Sequence, residues 1–89
     1  MNLEIMGARL VRNRIKAALT RAGLPQEEAA RRVGVSYRYF NRVTLGHTEP
    51  TLVLATKLAV VLDTPIEELF VVKITTRAAR EARVSRNGR

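Results

Sequence analysis

The stretch that most constrains this chain is QEEAARRVGVSYRYFNRVTLG, residues 26–46. Its apolar residues fall on two separate helical faces. Ala29, Ala30 and Val33 form one, Phe40 and Val43 the other, and Gly34-Val35-Ser36 lies between them. Glycine permits a tight turn, and serine is a natural cap for the helix that follows. Helices joined this way cross steeply, and the small Ala30 lets them approach. The second helix then turns Tyr37, Arg38, Asn41 and Arg42 outward. A rigid pair that presents one polar helix is suited to placing side chains in a groove.

The flanking sequence reads as further short helices. Val11, Ile15, Ala18, Leu19 and Ala22 share one helical face, which predicts a first helix over about 11–22, stopped by Gly23. Pro25 opens the second helix, Glu27 and Glu28 complement its N-terminus, and Arg31 and Arg32 sit in its last turn. The third runs from Ser36 to about Leu45, and Gly46 closes it. A fourth starts from Thr51 as N-cap and runs to Leu62, burying Leu54, Leu58, Ala59, Val61 and Leu62. Thr64-Pro65-Ile66-Glu67 fits a capping box for a fifth, ending near Phe70. The expected fold is therefore an all-α, compact five-helix domain over 11–70.

The ends are of a different character. Residues 1–10 read as a leader, either disordered or a short strand. Phe70-Val71-Val72-Lys73-Ile74-Thr75 is β-prone, and a single strand must pair with something. The available partners are the Leu3–Met6 segment or a second chain. Residues 76–89 form an Arg-rich tail, expected to be disordered or helical only when bound.

Charge narrows the partners. The chain of 89 residues has thirteen Arg and three Lys against eight acidic residues, a formal charge of +8. Residues 13–70 are nearly balanced, and most of the excess lies in 71–89. Such a balance points to a polyanion, nucleic acid first. There is no cysteine, hence no disulfide framework and no thiolate metal site. No apolar run is long enough to span a membrane, and the N-terminus lacks the layout of a signal peptide. These features suit a cytoplasmic, nucleoid-associated protein. His47 is the only histidine, and no nucleophile–base, paired-carboxylate or metal constellation accompanies it. Neither an enzyme nor a cofactor or small-molecule substrate is expected.

Residues 13–70 resemble the lambda repressor-like (Cro/C1, XRE-type) helix-turn-helix family. The resemblance rests on Ile15, on Gly23-Leu24 with Gln26-Glu27-Glu28-Ala29-Ala30, and on Val33-Gly34-Val35-Ser36. It continues through Phe40, Val43, Gly46, Pro50-Thr51-Leu52, Leu58-Ala59 and Thr64-Pro65-Ile66-Glu67-Glu68-Leu69-Phe70. It implies a double-stranded DNA partner, with the third helix in the major groove. Tyr37, Arg38, Asn41 and Arg42, with Ser36 beside them, would read bases. Gln26, His47, Thr48 and Arg14 would meet phosphates. Arg suits guanine O6/N7 and Asn suits adenine.

The chain departs from the family pattern at Pro25, where Ser or Thr often caps the second helix. An Arg–Glu pair common in the family is replaced by Leu19 and Thr44, which implies apolar packing near Thr44 or Leu45. Leu52, Val53 and Val60 suggest an apolar strip for a homodimer, unless the tail or leader folds back over it. The function implied is a sequence-specific transcriptional regulator, a repressor by its family. The alternative is an antitoxin-like or adaptor module that binds a protein partner through the tail.

Overall fold

The structure, a computed structural model, describes residues 3–87. In chain order the elements are β1 (Ile5–Asn13), α1 (Ile15–Ala22), α2 (Gln26–Val33), α3 (Tyr37–Thr44), α4 (Leu52–Val61), α5 (Ile66–Leu69), β2 (Phe70–Thr76) and α6 (Arg77–Asn87).

The five helices α1–α5 enclose one core. Each sends a short apolar set inward: Ile15, Ala18 and Leu19 from α1, Ala29, Ala30 and Val33 from α2, Phe40 and Val43 from α3. Leu54, Ala55 and Leu58 of α4 and Leu69 of α5 complete it, with Leu62 and Phe70. Phe40, Ile15, Leu58 and Leu69 are fully buried, each contributing about 1.5–3 kcal/mol of transfer free energy. The turn between α2 and α3 is set by Gly34, whose φ of 79° lies in the left-handed region. That geometry lets the Val35 N–H reach back to the Ala30 carbonyl at 3.0 Å. Ser36 and Thr51 cap α3 and α4, accepting from the N–H groups of Tyr39 and Leu54, each at 3.1 Å.

Two helix starts differ in detail from expectation. Pro25 and Pro65 stand at the N-cap positions of α2 and α5 rather than inside the first turn, and neither has a side chain that can cap. At α5 no capping box forms. The Thr64 hydroxyl is buried and donates to the Leu62 carbonyl at 2.9 Å, while Arg21 donates to the Thr64 oxygen at 3.3 Å.

The expectation of an all-α, five-helix fold is overturned. The described residues contain six helices and a two-stranded antiparallel sheet. Val11 belongs to β1, so α1 begins at Ile15 rather than near 11. The spacing of four from Val11 to Ile15 mimics one helical turn by coincidence. The partner that makes β1 a strand lies about sixty residues away, where local periodicity cannot see it. Two bulges also hide the strand. The register runs Ile5↔Thr76, Gly7↔Thr75, Ala8↔Ile74, Arg9↔Lys73, Leu10↔Val72, Arg12↔Val71 and Asn13↔Phe70, so Met6 and Val11 are the extra residues. Each bulge places two apolar residues in succession and breaks the alternation of period two. The β-prone segment thus pairs within its own chain. The segment after it is helical from Arg77, with Thr76 Oγ1 accepting from the Ala79 N–H at 3.1 Å. The two outermost residues of the expected leader and tail, 1–2 and 88–89, lie outside the described residues. The molecule has extents of 53 × 22 × 21 Å.

Residues paired across the ribbon share a face. Ala8, Leu10, Val72 and Ile74 lie on one side, with Phe70 carrying that side into the core. Arg9 and Lys73 lie on the other.

Candidate nucleic-acid interface

α3 is held from behind by Phe40 and Val43, which fixes what its outer face presents. Tyr37 is half exposed and Arg38 is exposed. Neither side chain makes a hydrogen bond or ion pair with any described residue, so both are free to reach outward. Ser36 uses its oxygen as the acceptor of the α3 cap, which leaves its O–H to donate.

The other sequence-predicted residues are joined in pairs. Gln26 Nε2, at the first position of α2, donates to Asn41 Oδ1 at 3.0 Å. The Asn41 amide nitrogen is thereby aimed away from Gln26 with both hydrogens available. Arg42 Nε donates to Thr48 Oγ1 at 3.2 Å, tying the last turn of α3 to the following loop. His47 is exposed in that loop, and its backbone N–H bonds to the Arg42 carbonyl at 2.9 Å. Eight of the residues singled out from the sequence thus lie on α3, its two flanks and the start of α2.

Arg14 stands apart. It precedes α1, its backbone N–H bonds to the Leu69 carbonyl at 2.7 Å, and its side chain lines a groove with Pro50, Leu52 and Phe70.

Arg31 and Arg32 are occupied at the end of α2, where both pair with Glu28. The hydrogen bond from Arg31, then that from Arg32, holds the Glu28 carboxyl below its ordinary pKa. Tyr39 packs against the core, as its place on the inner edge of α3 requires. Leu19 is buried in the core, and Thr44 is buried with its hydroxyl donating to the Asn41 carbonyl at 2.9 Å.

Asn13 is a positioning residue that the sequence does not reveal. Its Nδ2 donates to the Val43 carbonyl at 3.0 Å and to the Thr44 carbonyl at 3.4 Å. Its Oδ1 accepts from the Ile15 N–H at 3.2 Å. One side chain thus joins the end of β1, the start of α1 and the last turn of α3. A strand ending in Asn just before a helix is the available signal, and the helix-like spacing from Val11 masks it. Arg9 and Lys73, opposite each other on the ribbon, add positive charge outside the helical core.

Among the described residues, no cluster of His, Cys, Asp or Glu is placed to hold a metal ion, and no helix is long and apolar enough to cross a membrane.

Comparison with known proteins agrees with this geometry. A helix-turn-helix family profile matches residues 15–69, the span from α1 to α5. Two proteins of Archaeoglobus fulgidus, each described as an uncharacterized HTH-type transcriptional regulator, are 38% identical to the chain over 61 residues. The aligned region covers 68% of this chain and 87% and 86% of theirs. With the capped turn at Gly34, an outward polar α3 and a match over the whole helical core, the chain belongs to the Cro/C1-type helix-turn-helix family, whose members are DNA-binding transcription regulators.

Proposed function

We propose that the protein is a sequence-specific double-stranded DNA-binding regulator, a repressor, that works as a homodimer with α3 in the major groove. The observation that carries this reading is the contrast between the two sides of α3. Its inner side is locked into the core, while Tyr37 and Arg38 are exposed and unengaged.

In this reading Arg38 and Arg42 donate to guanine O6 and N7, and Asn41 donates through its free amide hydrogens. Tyr37 packs on a sugar or a thymine methyl, and the Ser36 hydroxyl donates beside them. Gln26, His47 and Thr48 meet phosphates on either flank, with Arg14 further out. The pairs Gln26–Asn41 and Arg42–Thr48 support this division, because each joins one base-reading position to one phosphate-facing position. The Arg residues of α6 add attraction for phosphates irrespective of sequence. A domain seated in the groove excludes other proteins from the same site, which supports repression. Acting on DNA, it works at the nucleoid in the cytoplasm.

Selection from a pool of random duplexes at moderate salt tests the reading. An enriched motif with two half-sites about one helical turn, roughly 34 Å, apart is the expected result. A pool that stays random overturns sequence-specific binding.

A further inference from the structure

The ribbon presents a face that none of the described residues covers. Val72 and Ile74 are 52% and 55% exposed, and Ile5 and Leu52 are 58% and 76% exposed. The strand register puts Ile74 and Val72 on the same side as Ala8 and Leu10, and that side runs into the core through Phe70. Where the ribbon meets the N-terminus of α4, the same side forms one wall of an open groove of about 750 Å³, lined also by Leu52, Ala55 and Ile66.

We propose that this face and groove form the two-fold interface with a second copy of the chain. This deepens the homodimer reading given above and rests on it.

Three observations select a second copy as the occupant. The first is area. Ile5, Leu52, Val72 and Ile74 together expose on the order of 450 Å², as much as the largest apolar patch of a typical monomer, and doubling it with the polar surround approaches the ~1,600 Å² of a standard interface. The second is charge. The chain carries +8, so most of its surface repels a copy of itself. The groove is different: it is charge-balanced, lined by Arg9 and Arg14 and by Glu49 and Glu67, and none of the four makes an ion pair with a described residue. A two-fold operation can set each Arg9 against the acidic residues of the other copy. The third is the ribbon itself. Two strands alone are marginal in water, and pairing face to face with an identical ribbon gives each the second layer it lacks.

The interface so defined differs from an α4 strip built on Val53 and Val60. Leu52 belongs to the ribbon groove, whereas Val60 is 75% exposed in a neighbouring depression with Thr56, Asp63 and Pro65 that shares only Ile66 with the groove.

Sedimentation equilibrium on the full chain and on the variants I74E, L52E and V60E tests this. The wild type is expected at twice the chain mass. I74E and L52E should raise the dissociation constant by about 100-fold or more, through a carboxylate buried without a partner. V60E should leave it unchanged. Far-ultraviolet circular dichroism checks that each variant folds. Because the chain has no cysteine, the single-thiol variants I74C and V60C give a second reading that needs no introduced charge. The thiol at 74 should react with a maleimide several-fold more slowly as protein concentration rises, and the thiol at 60 should not. A dimer that V60E disrupts, and that I74E and L52E leave intact, overturns this surface while the homodimer stands. A wild type that stays monomeric at about 100 µM overturns both, and leaves the face to a different partner. Sequence-selective DNA binding, measured separately, is independent of either outcome.

Discussion

Gln26 Nε2 and Asn41 Oδ1 lie 3.0 Å apart, so a single hydrogen bond spans from the first residue of α2 to the middle of α3. Both side chains are half-buried, which shields the bond without removing it from solvent. In urea unfolding, a double-mutant cycle of Q26A and N41A should show a coupling energy of about 0.5–1.5 kcal/mol. Strict additivity would mean that the bond does not persist in solution.

Arg38 has no partner among the described residues, so its replacement should leave the fold untouched. R38A should melt within a degree or two of the wild type but bind its preferred duplex about 1–3 kcal/mol more weakly. Competition titrations against single-base variants should also show relaxed preference at one position per half-site. An equal loss on every duplex would reassign Arg38 to a phosphate.

Asn13 contributes to stability through three backbone groups at once. N13A strands the Ile15 N–H in a half-buried place and removes the second bond of the Val43 carbonyl, which keeps the Gly46 N–H at 3.0 Å, at a cost of about 1–3 kcal/mol. The urea midpoint should fall accordingly. N13D preserves the acceptor but loses the donor, and should recover only part of the loss.

The Glu28 carboxyl, held by Arg31 and Arg32, titrates below its ordinary value of 4.5 in the folded state. Its contribution is therefore complete above about that pH and is lost as the pH falls through the lowered folded value. E28Q should show a shallower loss of stability on the acid side than the wild type, and the difference should shrink in high salt, because the pairs are solvent-exposed. Thermal melts across the acid range measure it.

Deleting residues 77–89 removes five of the thirteen arginines. Affinity should drop on every duplex alike. The plot of log K against log salt should flatten by about 0.9 for each phosphate that is no longer neutralised. Unchanged salt dependence would show that α6 does not touch DNA.

The helical core was legible because its signals are local. Gly34 and Ser36 mark the α2–α3 turn within three residues, and Thr51 caps the helix it begins. The faces of α1 through α4 can be counted from Ile15 onward. The outward side of α3 was legible for the same reason: Phe40 and Val43 fix its inner side, and the outer side follows by elimination. What stayed hidden depends on distant partners. β1 becomes a strand only by meeting β2, and its bulges at Met6 and Val11 disguise the alternation that would have announced it. Asn13 has two roles that require α3 to be in place already. The helix at 77–87 has a polar composition that promises no burial, yet Thr76 starts it and Arg77 pairs with Glu4 at 3.0 Å.

The β1–β2 pairing also orders the folding of the chain in time. The helices from Ile15 to Leu69 find their neighbours across short loops, and such contacts form quickly. The ribbon joins residues as far apart as Ile5 and Thr76, and it is bonded further by the Arg77 N–H to the Glu4 carbonyl at 2.9 Å. Closing a loop of that length from an unfolded chain is slow, but a folded helical core brings Asn13 and Phe70 together first. The ribbon is then expected to zip outward from its base, as the last cooperative unit to form. In reverse, it is the first to open, and its outer amides should exchange with solvent well before those of α1 to α4.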